Sequence, residues 1–279
     1  MPLVHVKDLF RWASDESRSL AAFNAITLEH AEAIATAAEE NDLPVIIQLS
    51  ENAVLYHDAV EPIAAGLVAL ATQSSARIAL HLDHITDENL AKRTSAIGFS
   101  SIMFDASHDS YEDNVRRTSE FVAFARSHDL WVESELGEIG GKDGAHAPGV
   151  QTPPQDAKRY SDETGVDSLA VAVGSSHAMV EKTASLNIEL ISEISSQVEI
   201  PLVLHGSSGV PDDQIVAACE AGMTKINIGT ALNIAFTGAI RNTLAGTEST
   251  DPRKYFTKGR EAMAEVVAHY LRVISGPGS

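Results

Sequence analysis

The sequence predicts an α/β protein folded as a single (β/α)8 TIM barrel with a C-terminal helical extension. Three observations predict it. Short, β-branched apolar runs recur eight times along the chain, helical patterns separate them, and nearly every run ends in a polar or metal-competent residue. Eight strands alternating with helices over roughly 250 residues is the size and rhythm of such a barrel, and its chemistry sits at the carboxyl ends of the strands.

The strands are expected at 20–26, 43–50, 77–84, 100–106, 131–137, 168–174, 201–207 and 224–230. Most are near-continuous hydrophobic runs, as in "LPVIIQLS" and "SLAVAVG". That pattern marks strands covered on both faces, as in parallel sheets. The first helix is expected at 27–41, opening on a Thr27 cap and keeping apolar residues at helical spacing. Further helices follow at 59–74, 87–98, 110–128, 152–165, 187–198 and 211–222, several closing on Gly or Asn. A final helix is expected from about Arg260 to Ile274. An open doubly wound sheet is the alternative, but no strand is followed by its GxGxxG turn.

No shift in composition divides the chain, so residues 1–279 are expected to form one catalytic domain. Hydrophobic residues make up 44%, enough for a large core. Lys and Arg number 20 against 39 Asp and Glu, a formal net charge of −19. Such a surface repels nucleic acid and anionic membranes. Any phosphate site must then be built locally from backbone N–H groups, an Arg or a metal. The single cysteine, Cys219, excludes a disulfide within the chain. No apolar run approaches the ~18 residues of a membrane span, and "MPLVHVKDLFRWA" has no secretory pattern. A soluble cytoplasmic protein is expected.

Reading only the strand ends gives Asn24, Ser50, Asp83, His84, Asp105, Glu133, Glu135, Gly174, His177, His205, Gly206, Asn227 and Thr230. His84, His177 and His205 lie at or just past the ends of the third, sixth and seventh runs. One such histidine would more often be a hydrogen-bonded structural residue. Three at one mouth, with an open fourth position, match a catalytic Zn²⁺ site. Imidazole also suits other divalent first-row metals. His81 lies deeper and is expected to pack or to orient a ligand. His5, His30, His57, His108, His128, His146 and His269 read as surface residues.

Asp83 adjoins His84, and neighbours in a strand point to opposite faces. Both can reach one cavity only where the backbone turns. A carboxylate beside a metal-bound substrate suits general acid–base work; the plainer role is to hold a histidine tautomer. Two glycine-rich loops, "HGSSGV" at 205–210 and "NIGT" at 227–230, follow the seventh and eighth runs. In barrels these loops often bind phosphate, and successive N–H groups cradle the anion.

With these residues in place, the chain resembles the class II, metal-dependent ketose-bisphosphate aldolases, which act on fructose or tagatose bisphosphate. "AFNAI", "HLDH", "ESELGEIGG", "AVGSSH", "LHGSSG", "KINIGT" and "DPRKYF" occur in family order over nearly the whole chain. The resemblance implies that His84, His177 and His205 hold Zn²⁺, with Asp105 and Glu135 as a nearby site for a displaced or second divalent metal. It implies that Asp83 carries the proton of the C4 hydroxyl. Asn24, Asn227 and Thr230 would contact the dihydroxyacetone phosphate half. Gly206, Ser207, Ser208 and Gly209 would cradle its phosphate, with Gly229 in the neighbouring loop. Backbone groups of Gly174 and His205 would line a monovalent cation (Na⁺ or K⁺) site. Ser50 and Arg253, the latter from a neighbouring subunit of a homodimer or homotetramer, would grip the distal phosphate. The family returns a proton to the enediolate from a Glu on the loop after the fifth strand; here "GGKDGAHAPG" makes Asp143 the candidate.

The implied reaction is reversible cleavage of a ketose 1,6-bisphosphate, fructose 1,6-bisphosphate first, to dihydroxyacetone phosphate and glyceraldehyde 3-phosphate. Tagatose bisphosphate and other phosphorylated ketoses share the same metal core. Ala178 after His177, Ser207 in "HGSSG" and "TALNIAF" after "NIGT" depart from the family pattern, and all three bear on substrate grip. Rival readings are a metal-dependent hydrolase on the same barrel and a non-catalytic sugar-phosphate binder. A Schiff-base enzyme is a third, and would need a strand-end lysine where only Lys225, near the start of its run, is on offer.

Overall fold

Eight parallel strands close on themselves in chain order, β1 pairing with both β2 and β8. The computed structural model describes residues 3–136, 151–175, 182–246, 248 and 250–276. The strands are β1 (Leu20–Asn24), β2 (Val45–Ser50), β3 (Ile78–Ile85), β4 (Ser101–Phe104), β5 (Trp131–Glu135), β6 (Ser168–Ala170), β7 (Leu202–Leu204) and β8 (Met223–Ile228). The barrel and its helical C-terminal segment match the sequence expectation. β6 and β7 are shorter than predicted because the chain leaves the sheet early to build the loops of the mouth.

The helices α2 (Leu28–Asn41), α4 (Val60–Gln73), α6 (Tyr111–Arg126), α7 (Pro154–Thr164), α8 (Ile188–Gln197) and α9 (Asp212–Glu220) sit where the apolar spacing puts them. Outward-facing strand residues such as Phe23, Ile47, Leu80 and Phe104 pack under them in one continuous core. α5 is only Glu88–Ala91, shorter than the predicted 87–98. Beyond it, tight turns such as Thr94 N to Ala91 O replace helical bonds, and Gly98 ends the segment at φ 84°.

Three further helices lie outside the sequence-based expectation: α1 (Val6–Asp15), α3 (Glu51–Tyr56) and α10 (Thr230–Ala245). α1 turns Val6, Leu9, Phe10 and Ala13 toward Leu20, Ala22, Ile46 and Ala79, closing the amino-terminal end of the barrel. Phe10 stacks on Trp131 with ring centroids 4.5 Å apart. α11 (Pro252–Ser275) begins eight residues before the predicted Arg260, because Asp251 caps it by accepting from Arg253 N and Pro252 fits the first turn.

The bottom being closed by apolar packing, the mouth is left to the carboxyl ends of the strands. Between the two lies an unusual layer. Gln48, His81, Glu133 and Lys225 point into the barrel, none more than 1% exposed.

Candidate active site

The site is built around the end of β3. Pairing with β4 slips between Leu82 and Ile85, and His84 takes φ 52°, the left-handed region. An L-residue there costs roughly 1–3 kcal/mol and persists only where its surroundings hold it. The kink lets Asp83 and His84, adjacent in sequence, both line one cavity. Its volume is about 290 Å³. Asn24, Ser50, Gly206, Ser208, Asn227, Gly229 and Thr230 line it too, and all of them are among the sequence-predicted residues.

His84, Glu135 and His205 converge, one donor atom of each lying within 4.8 Å of the others. His205 Nδ1 stands 3.5 Å from Glu135 Oε2, and the His84 and His205 rings meet edge-on at 4.8 Å. Glu135 is held from behind, since Asn114 Nδ2 donates to its carbonyl and Tyr160 donates to Asn114 Oδ1. Two imidazoles and a carboxylate form a donor set suited to a divalent first-row metal.

Electrostatics agree with that reading. Burial alone would lower the pKa of His84, but the carboxylates of Asp83, Asp105 and Glu135 overcome it and push the imidazole up to about 10. Asp105 Oδ2 lies 2.9 Å from His84 Nδ1. Burial would raise Asp105, yet His84 and the Ser107 hydroxyl and N–H hold it well below the usual carboxylate range. Three acids around one imidazole attract a cation, whether a proton or a metal.

Asp83 is 3% exposed. Its Oδ2 accepts from Asn24 Nδ2 at 2.6 Å, and Asn24 Oδ1 accepts from Gln48 at 3.4 Å. Its Oδ1 has no hydrogen-bond partner among the described residues. One oxygen is thus pinned while the other is available to a ligand.

The loops after β7 and β8 are tied together. Gly206 turns at φ 67° into a short 3-10 segment, Ser207–Gly209, and Ser208 Oγ accepts from the N–H groups of Gly229 and Ala231. Gly229 sits close to the site, and a Cβ there would crowd Asn24 Oδ1 at 3.2 Å. Ser207 and Gly209 are buried behind this surface, Ser207 Oγ donating to Leu204 O. Gly174 stands at φ 114°, where a Cβ would strike Ser185 O at 2.4 Å.

Not every expected residue joins the cavity. The Arg253 side chain is 87% exposed and paired with Asp251, outside the cavity lining. His177, Asp143 and His146 lie outside the described residues. His30, read as a surface residue, is 3% exposed. It sits at the third position of α2, closing a capping box with Thr27, and its Nε2 meets Asn233 Oδ1 at 3.2 Å. Asn52 and Asn233, which sequence reasoning passed over, also line the cavity. Lys225 is 1% exposed and engaged by Glu133 at 2.7 Å, which leaves the Schiff-base reading without its lysine.

Comparisons with known proteins bear on the family and the fold. The family described as "Fructose-bisphosphate aldolase class-II" matches residues 4–279. The solved structure of the YdjI aldolase from Escherichia coli K12 is 29% identical, with TM-score 0.88 over 99% of this chain and 98% of that one. A candidate fructose-1,6-bisphosphate aldolase from Coccidioides immitis is 30% identical, with TM-score 0.87 over 98% and 97% of the two chains. Fructose-bisphosphate aldolase from Campylobacter jejuni, at 22% identity, has the same fold, with TM-score 0.83 over 99% and 96%.

Proposed function

The chain belongs to the class II fructose-bisphosphate aldolase family and is a carbon–carbon lyase, and from that premise we propose that it reversibly cleaves a ketose 1,6-bisphosphate in a Zn²⁺-dependent reaction. Fructose 1,6-bisphosphate is the first substrate to test, with tagatose 1,6-bisphosphate next; the products are dihydroxyacetone phosphate and glyceraldehyde 3-phosphate. The observation that carries the reading is the convergence of His84, Glu135 and His205 beside Asp83.

His84, His205 and His177 would hold Zn²⁺, which when bound would supply a Lewis acid for the negative charge that cleavage leaves on the three-carbon half. Asp105 and Glu135 offer a second or displaced divalent metal its ligands. Asp83 takes the C4 hydroxyl proton on Oδ1. The C3–C4 bond then breaks, its electron pair stays with C3, and the aldehyde departs. Asn24 fixes Asp83 through Oδ2 and, with Asn227 and Thr230, orients the three-carbon half. Gly206, Ser208 and Gly229 form the C1-phosphate cradle with Ser207 and Gly209 backing it, and backbone groups of Gly174 and His205 a monovalent cation site. Asp143 returns a proton to C3. The enzyme works in the cytoplasm as a homodimer or homotetramer. A panel of ketose phosphates, with dihydroxyacetone phosphate as readout, tests the whole; no release from any member would sink it.

Arg253, with Ser50, grips the distal phosphate by reaching into a neighbouring subunit. An Arg253→Ala variant is expected to raise KM for a bisphosphate roughly tenfold, as loss of a charged hydrogen bond does, while barely changing KM for a ketose 1-phosphate. Equal effects on both would make Arg253 structural.

Metal uptake should release a proton. With its pKa at about 10, His84 is protonated in the metal-free protein at pH 8; a ligating imidazole must be neutral, so about one proton is expelled. The release should fade as pH rises past about 10, where His84 is already neutral. Calorimetric Zn²⁺ titrations in buffers of different ionisation enthalpy measure it, and no net release at pH 8 would contradict the assignment of His84.

A further inference from the structure

One pleat below the mouth, barrels are ordinarily filled by branched apolar side chains. Here the layer holds Gln48, His81, Glu133 and Lys225. Each stands two positions before a mouth residue on its strand (Ser50, Asp83, Glu135 and Asn227), so each points the same way. Burying an ionised Glu–Lys pair is a poor route to stability, since apolar residues of similar volume often serve as well or better. What the pair touches is the better guide to why it is there.

Glu133 bridges two groups. Its Oε1 lies 3.1 Å from His205 Nε2, and its Oε2 accepts from Lys225 Nζ at 2.7 Å. His205 is wholly buried, and its other ring nitrogen faces Glu135 and the converging donor group. A carboxylate can only accept, so Nε2 must donate. In the neutral ring that a metal requires, the lone pair is then on Nδ1, which faces Glu135. Lys225 can only donate and occupies the second oxygen, so Glu133 cannot swing away.

Resting on the assignment of His205 as a Zn²⁺ ligand, we propose that Glu133, locked in place by Lys225, is a positioning residue that sets the tautomer of His205 and aims Nδ1 at the metal. The carboxylate acts through the histidine and touches no substrate.

The two residues can be told apart from mere packing by a paired substitution. In Glu133→Gln the amide oxygen turns to Lys225, and the amide NH2 then faces His205 Nε2. The ring proton is driven to Nδ1, where it competes with the metal. Zn²⁺ affinity, read by competition with a chelating dye, is expected to fall about 10–100-fold. At saturating Zn²⁺, kcat should fall much less. The double variant Glu133→Gln/Lys225→Met frees the amide to turn its oxygen to His205, so it should bind Zn²⁺ more tightly than the single variant. The double variant also removes the ammonium that the single variant leaves buried without its carboxylate, so its recovery counts for tautomer control only when the His205 proton is also found back on Nε2. Thermal melts of all three proteins accompany the titrations. On Zn²⁺-loaded wild type, a long-range ¹H–¹⁵N spectrum should place the His205 proton on Nε2, which needs no variant to fold. A single variant within about threefold of wild-type affinity, a double variant weaker than the single, or a proton on Nδ1 overturns the inference. A wild type that takes up no Zn²⁺ overturns the reading of the site itself, which the titration distinguishes at once.

Discussion

An Asp83→Ala variant is expected to fold, to keep its metal and to lose about 10²–10⁴-fold in kcat, the usual contribution of a general acid–base group. Three observations set this expectation. Asp83 lines the cavity beside His84, one of its oxygens is pinned by Asn24 at 2.6 Å, and the other has no partner among the described residues. The side chain is thus oriented without being spent. Asn24 keeps its contact with Gln48 when the carboxylate goes, so the wall should stand. Asp83→Asn, which preserves shape but accepts no proton, should be about as slow as Asp83→Ala. Initial rates of dihydroxyacetone phosphate release, metal content and a thermal melt decide the matter. A loss under about threefold would reduce Asp83 to holding Asn24.

Removal of the metal should be as severe. Dialysis against EDTA is expected to cut cleavage on the order of 10³-fold or more, since a Lewis acid supplies several kcal/mol to developing charge. Added Zn²⁺ or Co²⁺ should restore activity, because both suit imidazole ligands. His205→Ala should bind metal far more weakly than wild type. It should also melt at lower temperature, since it leaves Glu133 and Glu135 facing the space of a wholly buried ring. Fully metal-free protein that cleaves at the wild-type rate would refute the metal reading.

Much of this was legible in the sequence, for a physical reason. Strands buried on both faces must be apolar throughout, so a polar residue at the end of "IALHL" or "LVL" stands out. That contrast located Asp83, His84 and His205. It also picked out Glu133 at a strand end and noted Lys225, but could not pair them. "ESELG" and "TKINIGT" each carry a charge two places before the mouth residue, and only the closed barrel shows that the two charges meet. α10 was hidden because "TALNIAFTGAIRNTLA" carries Thr, Asn and Gly that favour other conformations. It forms because it packs on α11, a contact between segments that no local pattern encodes. His30 was misread for a related reason: Asn233, which meets its ring, is 203 positions away.

The pair formed by Glu133 and Lys225 also ties a charge on one strand to the closing of the barrel by another. The two residues are separated by 92 positions, and Lys225 belongs to the last strand. A nascent chain that has laid down β1 to β7 holds Glu133 inside an unfinished barrel without its cation. An open sheet leaves that carboxylate to water, whereas a closed barrel without Lys225 would bury it unpaired at a cost of about 3–5 kcal/mol. β8 brings the ammonium in the same event that joins β8 to β1. Burial of the Glu133 charge and arrival of its cation therefore belong to one event, the closing of the barrel by its last strand.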